Sequence, residues 1–546
     1  MTDRDASMGP DGLTRRDRDL IRDVLARYPE VRRVTLFGSR AMGTFGRGSD
    51  IDLALEGRDL DTRALTCIAT ELEDSDLPYK VDLLLRDEQL EPRLEAHIRR
   101  YGKPFGWELH HTRRLIAQAK LLIGDGYRAK NSELATSGLP FARAGNIDNG
   151  FHFDNADLFP EEHLQKVGEK VSQPGDVVFT SKGTVGRLAS VRANTPRFVY
   201  SPQLCYWRIL DRDVIDPRWL YYWMCGSEFI QQVAGMKGQT DMADYVSLTD
   251  QRRMEITLPP VGEQRAIAAI LGALDDKIEQ NRRTAKELEQ LARSIFRAWF
   301  VDFEPVKAKA AGATSFPSMP QSVFDALPTR FVDSAIGPVP EGWAVKAIGD
   351  VVTLRGGGTP STANPDYWDG GVHCWATPKD MSRLSQPVLL DTERRITDAG
   401  VNAISSGVLP IGTVLMSSRA PVGYLAIAGV PTAINQGFIA MVCEGLLPPA
   451  YVFNWACASM ETIKAHASGT TFPEISKRNF RGLPVVLPTR DAIAAYQRAA
   501  DPLFDLLTTC VKESEQLATM RDYLLPKLLS GSVRVKDVER TLETTA

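Results

Sequence analysis

Apolar residues recur along two stretches of the chain at alternating steps of three and four positions. The first stretch runs from residue 263 to about residue 300 and contains no proline. This heptad spacing is typical of a helix that packs lengthwise against another helix. At about 1.5 Å per residue, the 37 residues from 263 to 299 would reach roughly 55 Å. The predicted seam consists of Ile267, Leu271, Leu274, Ile278, Asn281, Ala285, Leu288, Ala292, Ile295 and Trp299.

The second stretch, residues 490–533, has the same spacing but is interrupted by Asp501 and Pro502. Aspartate before proline is typical of a helix start, so we expect the helix to restart there. The two helices should pair with each other in antiparallel orientation; the alternative is that each packs on its own domain. Asn281 would then either fix the register of the pair or face solvent at its edge. The second seam consists of Ile493, Tyr496, Ala500, Leu503, Leu507, Cys510, Ser514, Leu517, Arg521, Leu524 and Leu528.

The region before each predicted helix has a mixed, strand-rich pattern, and the two regions repeat. The run Gly175-Asp-Val-Val-Phe-Thr-Ser-Lys-Gly-Thr-Val-Gly returns as Gly412-Thr-Val-Leu-Met-Ser-Ser-Arg-Ala-Pro-Val-Gly, 237 residues later. Gln203 and Gln436 correspond in the same way, with a slightly shorter offset. A duplicated unit predicts internal pseudo-twofold symmetry, which suits a partner that is itself nearly twofold, above all duplex DNA.

Length and composition limit the class of protein. A chain of 546 residues is too long for one core and predicts three or four folding units. No stretch of 18 uncharged apolar residues occurs, so we expect no membrane span. The polar start and seven cysteines without a Cys-x-x-Cys pair indicate a cytoplasmic protein with reduced thiols. The net charge of −4 argues against binding DNA through bulk positive charge, so a DNA-binding chain would need local basic faces or partner subunits.

Residues 1–105 lie outside the repeat and carry a pattern of their own. Asp50 and Asp52 alternate on one face of a predicted strand, and Asp82 enters a later apolar strand. Three carboxylates can supply oxygen donors to Mg²⁺ ions that bridge the phosphates of a nucleotide. Gly38 and Ser39 stand at a strand-to-helix turn, where free backbone N–H groups can hold a phosphate.

This combination resembles the minimal nucleotidyltransferase domains of the DNA polymerase β superfamily. The resemblance implies that Asp50, Asp52 and Asp82 are catalytic metal ligands, and that Gly38 and Ser39 bind an NTP substrate. Many members carry arginine where this chain has a methionine at position 42, so the nucleotide-binding arginine would be Arg40 or Arg47. One alternative is that the domain has kept the inherited fold, no longer catalyses the transfer and serves as a docking module. Another is a fusion in which this domain and the rest of the chain are not functionally coupled.

A second resemblance covers residues 107 to 533. The run Leu258-Pro-Pro-Val-Gly-Glu-Gln-Arg, continuing to Arg282 and followed by Arg297-Ala-Trp-Phe-Val-Asp-Phe, resembles the first conserved helix of type I restriction-modification specificity subunits. Gly337-Pro-Val-Pro-Glu-Gly-Trp and Leu524-Leu-Pro-Lys-Leu-Leu-Ser-Gly-Ser resemble the entry to the second recognition domain and the C-terminal helix end.

The resemblance implies that each recognition domain reads one half of a split sequence in double-stranded DNA and that the helix pair sets the unread gap. It implies no catalysis by this portion, which docks methyltransferase (M) subunits and a restriction and translocase (R) subunit. S-adenosylmethionine and ATP would then be bound only through those partners.

Individual DNA contacts are harder to assign from sequence. Arginine, lysine, asparagine and glutamine make bidentate or polar contacts with base edges. The candidates near the repeated turns and adjoining loops are Lys182, Arg187, Gln239, Lys379 and Arg419, and for each the alternative is a solvated surface side chain. Trp207, Trp223 and Trp455 lie in apolar runs and are expected in the core.

Two further motifs resemble catalytic ones incompletely. Asn364-Pro-Asp-Tyr lacks the second proline of the adenine methyltransferase motif and is expected to be a turn with a buried tyrosine. Residues 356–362, Gly-Gly-Gly-Thr-Pro-Ser-Thr, lack the Walker lysine. We expect them to form a loop at the DNA-facing entry of the second recognition domain.

The sequence therefore predicts an α+β multidomain protein. It has an N-terminal nucleotidyltransferase-like α/β domain, two mixed α/β target-recognition domains, and two long helices forming an antiparallel coiled-coil spacer. The expected boundaries are 1–105 for the first domain, 107–260 and 337–488 for the recognition domains, 261–303 and 490–533 for the helices, 304–336 for a linker and 534–546 for a tail. The predicted function is DNA specificity; the alternatives are a nucleotidyltransferase targeted by the repeat, or a scaffold that no longer reads DNA.

Overall fold

The computed structural model describes residues 11–535, apart from residues 26, 29, 32, 47, 58–59, 88–89, 106–107, 149, 237, 240–243, 470–472, 532 and 534. The chain forms two compact units. One consists of Met1–Leu274 with Met520–Ala546, and the other of Asp275–Thr519. Among the described residues, no helix is long and apolar enough to cross a membrane.

The N-terminal domain is a four-stranded sheet covered by helices. The strand order is Val81–Leu85, Ile51–Glu56, Arg33–Phe37 and Lys103–Pro104, with the first two parallel and the others antiparallel. The middle strands are mostly buried, with Leu36, Phe37, Ile51, Leu53, Ala54 and Leu55 in the interior. The helices are Arg15–Leu25, Gly38–Met42, Thr62–Glu73 and Pro92–Tyr101.

The first repeat contains two small sheets and a closing strand pair. One sheet has the order Leu188–Ser190, Val177–Thr180, Leu204–Ile209 and Leu121–Asp125; the other has Val199–Tyr200, Leu139–Ala142 and Leu158–Phe159. Glu108–His111 pairs with Glu255–Leu258. The helices are Thr112–Ala117, Leu164–Val167, Pro217–Cys225, Ser227–Met236 and Leu248–Gln251. Asp216 caps Pro217–Cys225, because its carboxylate accepts the N–H groups of Arg218 and Trp219.

The second repeat has the same plan. Its larger sheet has the order Thr353–Gly356, Phe438–Val442, Val414–Ser417, Leu425–Ala428 and Val388–Leu389; the smaller has Arg395–Ile396, His373–Ala376 and Thr432–Ile434. Ala344–Ala347 pairs with Pro484–Leu487, as the corresponding strands pair in the first repeat. The helices are Ile348–Val351, Pro378–Ser382, Asp398–Asn402, Pro449–Ala458, Met460–Ala465 and Lys477–Arg481.

The repeated sequence runs adopt the same turn, bond for bond. In the first, the Thr180 hydroxyl donates to the Thr184 carbonyl at 2.6 Å and accepts the Arg187 N–H at 2.8 Å. In the second, the Ser417 hydroxyl donates to the Pro421 carbonyl at 2.7 Å and accepts the Tyr424 N–H at 2.8 Å. The predicted duplication is therefore confirmed as a structural repeat. We call residues 180–187 and residues 417–424 the hydroxyl-tied turns of the first and second repeat.

The two long helices are Val261–Phe300 and Arg490–Leu529, with 40 residues each. In the second unit, Ala285 packs with Leu507 and Cys510, whereas Phe296 meets Tyr496 edge to face, so the helices run antiparallel as predicted. In the first unit, Ile267 and Leu271 share a core with Leu528.

The break expected at Asp501 and Pro502 is absent, because the second long helix continues through both residues. An interior proline costs about 3 kcal/mol. Ala500 and Phe504, which flank the proline, are both buried, and this packing offsets the cost.

The expected linker, 304–336, is also more ordered than predicted. It contains the helices Glu304–Ala310 and Gln321–Asp325 and the strand Phe331–Val332, which pairs with Val339–Pro340. Val306 and Phe324 are buried in the same core as Trp343. The segment 304–336 therefore contributes side chains to the core of the second unit.

Candidate functional site

Sheet pairing brings the three predicted carboxylates of the N-terminal domain together. Asp52 lies directly beside Asp82 in the register of the parallel strands Ile51–Glu56 and Val81–Leu85. Asp50 is exposed just before the first of these strands. Burial raises the pKa of Asp52, and the neighbouring Asp82 and Asp50 carboxylates raise it further. The three groups therefore form one region of concentrated negative charge.

Gly38 closes one side of this region. It follows Phe37, which pairs with Asp52 across the antiparallel strands, and its φ of +68° lies in the left-handed region. A Cβ atom at this position would collide with Oδ2 of Asp52, so only glycine fits. Ser39 is half-buried in the first turn of Gly38–Met42, directly after Gly38.

The carboxylates are neighbours but do not converge on one point. Lys80 forms an ion pair with Asp82, with 2.6 Å between Nζ and Oδ1. Within the part of the chain that the structure describes, no three carboxylate, imidazole or thiol side chains lie close enough to hold a metal ion as they stand. The oxygen donor set suits Mg²⁺ in kind, and Asp82 would have to release Lys80 to join it. Lys80 was missed from the sequence, where its only signal was its position two residues before Asp82.

The structure does not bring Arg40 to a nucleotide-facing surface. Its side chain is 1% exposed, and its guanidinium donates to the carbonyls of Asp11 at 2.8 Å, Ser49 at 2.7 Å and Asp50 at 3.1 Å. It also stacks on the Tyr79 ring at 4.3 Å. The predicted role in nucleotide binding is therefore corrected: Arg40 fixes the loop that presents Asp50. Arg47, the other candidate, lies outside the described residues.

In the first repeat, the candidate DNA contacts lie on and beside the hydroxyl-tied turn. Lys182 is exposed on this turn and forms an isolated β-bridge with Tyr245. Arg187 is also exposed, but its guanidinium donates to the Ile147 carbonyl at 3.0 Å and so braces a neighbouring loop. The side chain of Gln239 is outside the described part of the chain.

In the second repeat, both candidates are engaged by carboxylates. Arg419 takes the position that corresponds to Lys182 and approaches Glu474 at 3.8 Å across an isolated β-bridge. Lys379 is exposed and pairs with Glu393 at 3.0 Å, and Arg383 pairs with the same carboxylate at 2.7 Å. These ion pairs reduce the free positive charge that Lys379 and Arg419 offer.

The remaining predictions concern aromatic residues. Trp207, Trp223 and Trp455 are buried, which confirms their expected place in the core. The Asn364 segment is a 3-10 turn capped by the Asn364 side chain, also as expected. Tyr367 in that turn is only half-buried, so the expectation of a buried tyrosine was wrong.

Sequence reasoning also missed Arg394. Its guanidinium lies 3.5 Å from the ring centre of Trp368 and 5.8 Å from that of Trp375. The two indoles are themselves edge to face at 5.1 Å. No periodic pattern marks this cluster, because Trp368 ends a turn, Trp375 lies in the strand His373–Ala376, and Arg394 precedes the strand Arg395–Ile396.

Two family models match the chain. The model described as "Type I restriction modification DNA specificity domain" matches residues 122–290 and 340–516, which is more than half of the chain. The model described as "Polymerase beta, Nucleotidyltransferase" matches residues 19–105. The matches fall on the two repeats and on the N-terminal domain, respectively.

Similar proteins include two curated specificity subunits and one solved structure. The type I restriction enzyme HindI specificity subunit of Haemophilus influenzae is 23% identical over 72% of this chain and 94% of its own length. The MjaIX specificity subunit of Methanocaldococcus jannaschii is 33% identical over 35% of this chain and 44% of its own length. The crystal structure of the type I restriction-modification S subunit from M. genitalium has 13% identity and a TM-score of 0.49, over 77% of this chain and 96% of that one.

Proposed function

Because the chain belongs to the family of type I restriction modification DNA specificity domains, we propose that it is the subunit that directs a restriction-modification complex to a bipartite DNA site. Each repeat reads one half-site in double-stranded DNA. The observation that carries this proposal is the pair of hydroxyl-tied turns, which present a cation at the same position, Lys182 in one repeat and Arg419 in the other. Two equivalent readers in one chain suit a target in two parts.

The long helices set the unread gap between half-sites. Each helix has 40 residues and is about 60 Å long at about 1.5 Å per residue. This exceeds one turn of DNA, which is roughly 34–36 Å. The buried seam makes each helix a rigid element, so the gap in the recognised sequence should have one fixed length.

The chain acts through partner subunits. Its net charge of −4 supplies little general attraction for phosphates, so M subunits provide much of the backbone grip as well as methyl transfer from S-adenosylmethionine. An R subunit provides ATP-driven translocation and cleavage. The specificity portion itself has no catalytic role in this proposal.

The test is co-expression of the full chain with its cognate M subunit, followed by sequencing of the host DNA for N6-methyladenine. The expected result is one split motif with a constant gap. A stable complex of the two proteins that leaves the DNA unmodified would contradict the proposal, and would favour a scaffold that no longer reads DNA.

The N-terminal domain transfers a nucleotide from an NTP to a hydroxyl acceptor. The acceptor oxygen attacks the α-phosphorus, the bond from that phosphorus to the oxygen bridging to the β-phosphate breaks, and pyrophosphate leaves. The proton of the hydroxyl passes to one of the Asp50, Asp52 and Asp82 carboxylates. Mg²⁺ held by these three residues would neutralise the phosphate charge. The closely spaced carboxylates and the glycine-only contact at Gly38 support this proposal.

The transfer is tested with purified full-length protein, labelled NTPs and Mg²⁺ or Mn²⁺, with candidate protein acceptors including the M subunit. We expect label on an acceptor, and no label with the double variant Asp50→Ala/Asp52→Ala. Equal labelling by both proteins, or none by either, would contradict the proposal and favour a docking module.

A further inference from the structure

Arg394 differs from the neighbouring cations of the second repeat because the described residues offer its guanidinium no hydrogen-bond acceptor. Arg395, its neighbour, pairs with Asp391 at 2.9 Å, and Arg383 and Lys379 share Glu393. Arg394 is exposed, and among the described residues no carboxylate or carbonyl accepts a hydrogen bond from its guanidinium. Its five N–H donors are therefore open to a ligand.

The aromatic cluster orients this free guanidinium. Trp368 lies against its flat face at 3.5 Å, and Trp375 supports Trp368 edge to face. The Arg394 backbone is held too, because its carbonyl accepts the Trp375 N–H at 3.2 Å and the Thr392 hydroxyl at 2.7 Å. Stacking covers the face of a guanidinium but leaves its N–H edges exposed, and those edges make bidentate contacts.

Hydrogen bonds connect the cluster to the hydroxyl-tied turn. The indole N–H groups of Trp375 and Trp368 donate to the carbonyls of Gly358 and Ser361, both at 3.0 Å. In the loop between these two carbonyls, the Thr359 hydroxyl donates to the Gln436 side-chain oxygen. Next to Gln436, the Gly437 carbonyl accepts the Ser418 N–H at 2.8 Å.

A chain of hydrogen bonds thus connects the cluster that holds Arg394 to the hydroxyl-tied turn that carries Arg419. That turn belongs to the part of the second repeat assigned above to DNA. Among the described residues of the first repeat, no copy of this arrangement occurs. The arginines over aromatic rings there are Arg143 over Phe141 at 5.6 Å and Arg208 over Tyr206 at 4.9 Å, and they are paired with Asp157 at 2.6 Å and Asp176 at 2.7 Å.

We infer that Arg394 reads a guanine in the half-site of the second repeat, with its stacked guanidinium donating to O6 and N7 in the major groove. This inference rests on the proposed DNA-reading function. An arginine can bind a phosphate from many directions, whereas a bidentate contact with O6 and N7 requires its guanidinium to lie in the plane of the base. The Trp368 stack holds the Arg394 guanidinium in one plane. Trp368 is then a positioning residue.

The test compares complexes of the full chain and its M subunit that carry Arg394→Ala, Arg394→Lys or Trp368→Leu. Arg395→Ala is the matched control, since it removes an adjacent but ion-paired arginine. Host DNA methylation gives the motif, and binding to duplexes altered one base pair at a time gives the discrimination at each position. Retained assembly with the M subunit shows that each variant is folded.

Arg394→Ala and Arg394→Lys should both lose discrimination at one G·C pair, on the order of 10- to 100-fold, in one half of the motif only. Trp368→Leu should lose part of this discrimination at the G·C pair, and Arg395→Ala should keep all of it. If Arg394→Ala weakened binding to all duplexes equally and Arg394→Lys restored that binding, the contact would be with a phosphate, and the inference would be overturned. An unchanged motif, or a half-site without guanine, would also overturn it. A wild-type complex without any split motif would instead contradict the proposed function, and the inference with it.

Discussion

Asn281 on the first long helix donates a hydrogen bond of 2.8 Å to the Glu513 carboxylate on the second. Asn281 is only 3% exposed, so it belongs to the buried seam and not to its solvent edge. Lys277 approaches the same carboxylate at 3.3 Å. A buried asparagine in an apolar seam, bonded here to a carboxylate at the edge of the seam, favours one register at some cost in stability.

Replacing Asn281 by leucine should therefore stabilise the protein. Glu513 keeps Lys277 as its partner, and the leucine buries additional apolar area, so we expect the free energy of unfolding to rise by about 1 kcal/mol. Thermal denaturation measures this. Gln280→Leu, at an exposed position of the same helix, is the control and should change stability by less than about 0.5 kcal/mol. A lower stability of Asn281→Leu would show that the hydrogen bond outweighs its desolvation.

Asp52→Asn should stabilise the strands Ile51–Glu56 and Val81–Leu85 at neutral pH. Burial and the Asp82 and Asp50 charges raise the pKa of Asp52, so the folded state binds its proton more tightly than the unfolded chain does. The contribution of Asp52 to the free energy of unfolding is therefore fully present at low pH. It is lost as the pH rises from the ordinary aspartate pKa of about 4 toward the raised pKa of the folded state. Hydrogen exchange of peptides from both strands should show that the gain from Asp52→Asn grows with pH. A gain independent of pH would contradict the electrostatic explanation.

Gly38→Ala should disrupt the carboxylate region. The added Cβ would collide with Asp52, and the left-handed φ of +68° adds backbone strain. The matched control is Gly43→Ala, where φ is +74° but no atom lies within 4 Å of the new Cβ, so that only strain of about 1 kcal/mol applies. Hydrogen exchange should show a larger loss of protection for Gly38→Ala, and nucleotide transfer should be lost in that variant alone. Equal effects of the two substitutions would show that the contact with Asp52 is unimportant.

The hydroxyl-tied turns allow each repeat to be perturbed in the same way. Thr180→Val leaves the Arg187 N–H without its side-chain acceptor, and Ser417→Ala does the same to the Tyr424 N–H. Each loss should cost about 1–3 kcal/mol locally. Methylation sequencing should show relaxed recognition in one half of the motif for Thr180→Val and in the other half for Ser417→Ala. Relaxation of the same half by both variants would contradict the assignment of one half-site to each repeat.

Local periodicity predicted much of this protein. Helices repeat their side-chain directions every 3.6 residues, so the seam from Ile267 to Trp299 could be read from the sequence. The duplicated run around Ser181 and Ser418 predicted the two repeats. Similar short sequences with hydroxyls and glycines at matching positions form the same turn.

Tertiary structure decided which predicted groups are available for chemistry. Arg40 looked like a nucleotide ligand, but carbonyls from residues 11, 49 and 50 surround its guanidinium. The second long helix continues through Pro502 because residues on both sides of it are buried. Lys80 forms an ion pair with Asp82, and Trp368 holds the Arg394 guanidinium in one plane. Each of these outcomes depends on the packing, ion pairing or stacking that the folded chain provides around the residue. Periodicity in the sequence determines the direction of a side chain, whereas its burial, charge partner and freedom depend on which distant segments fold against it.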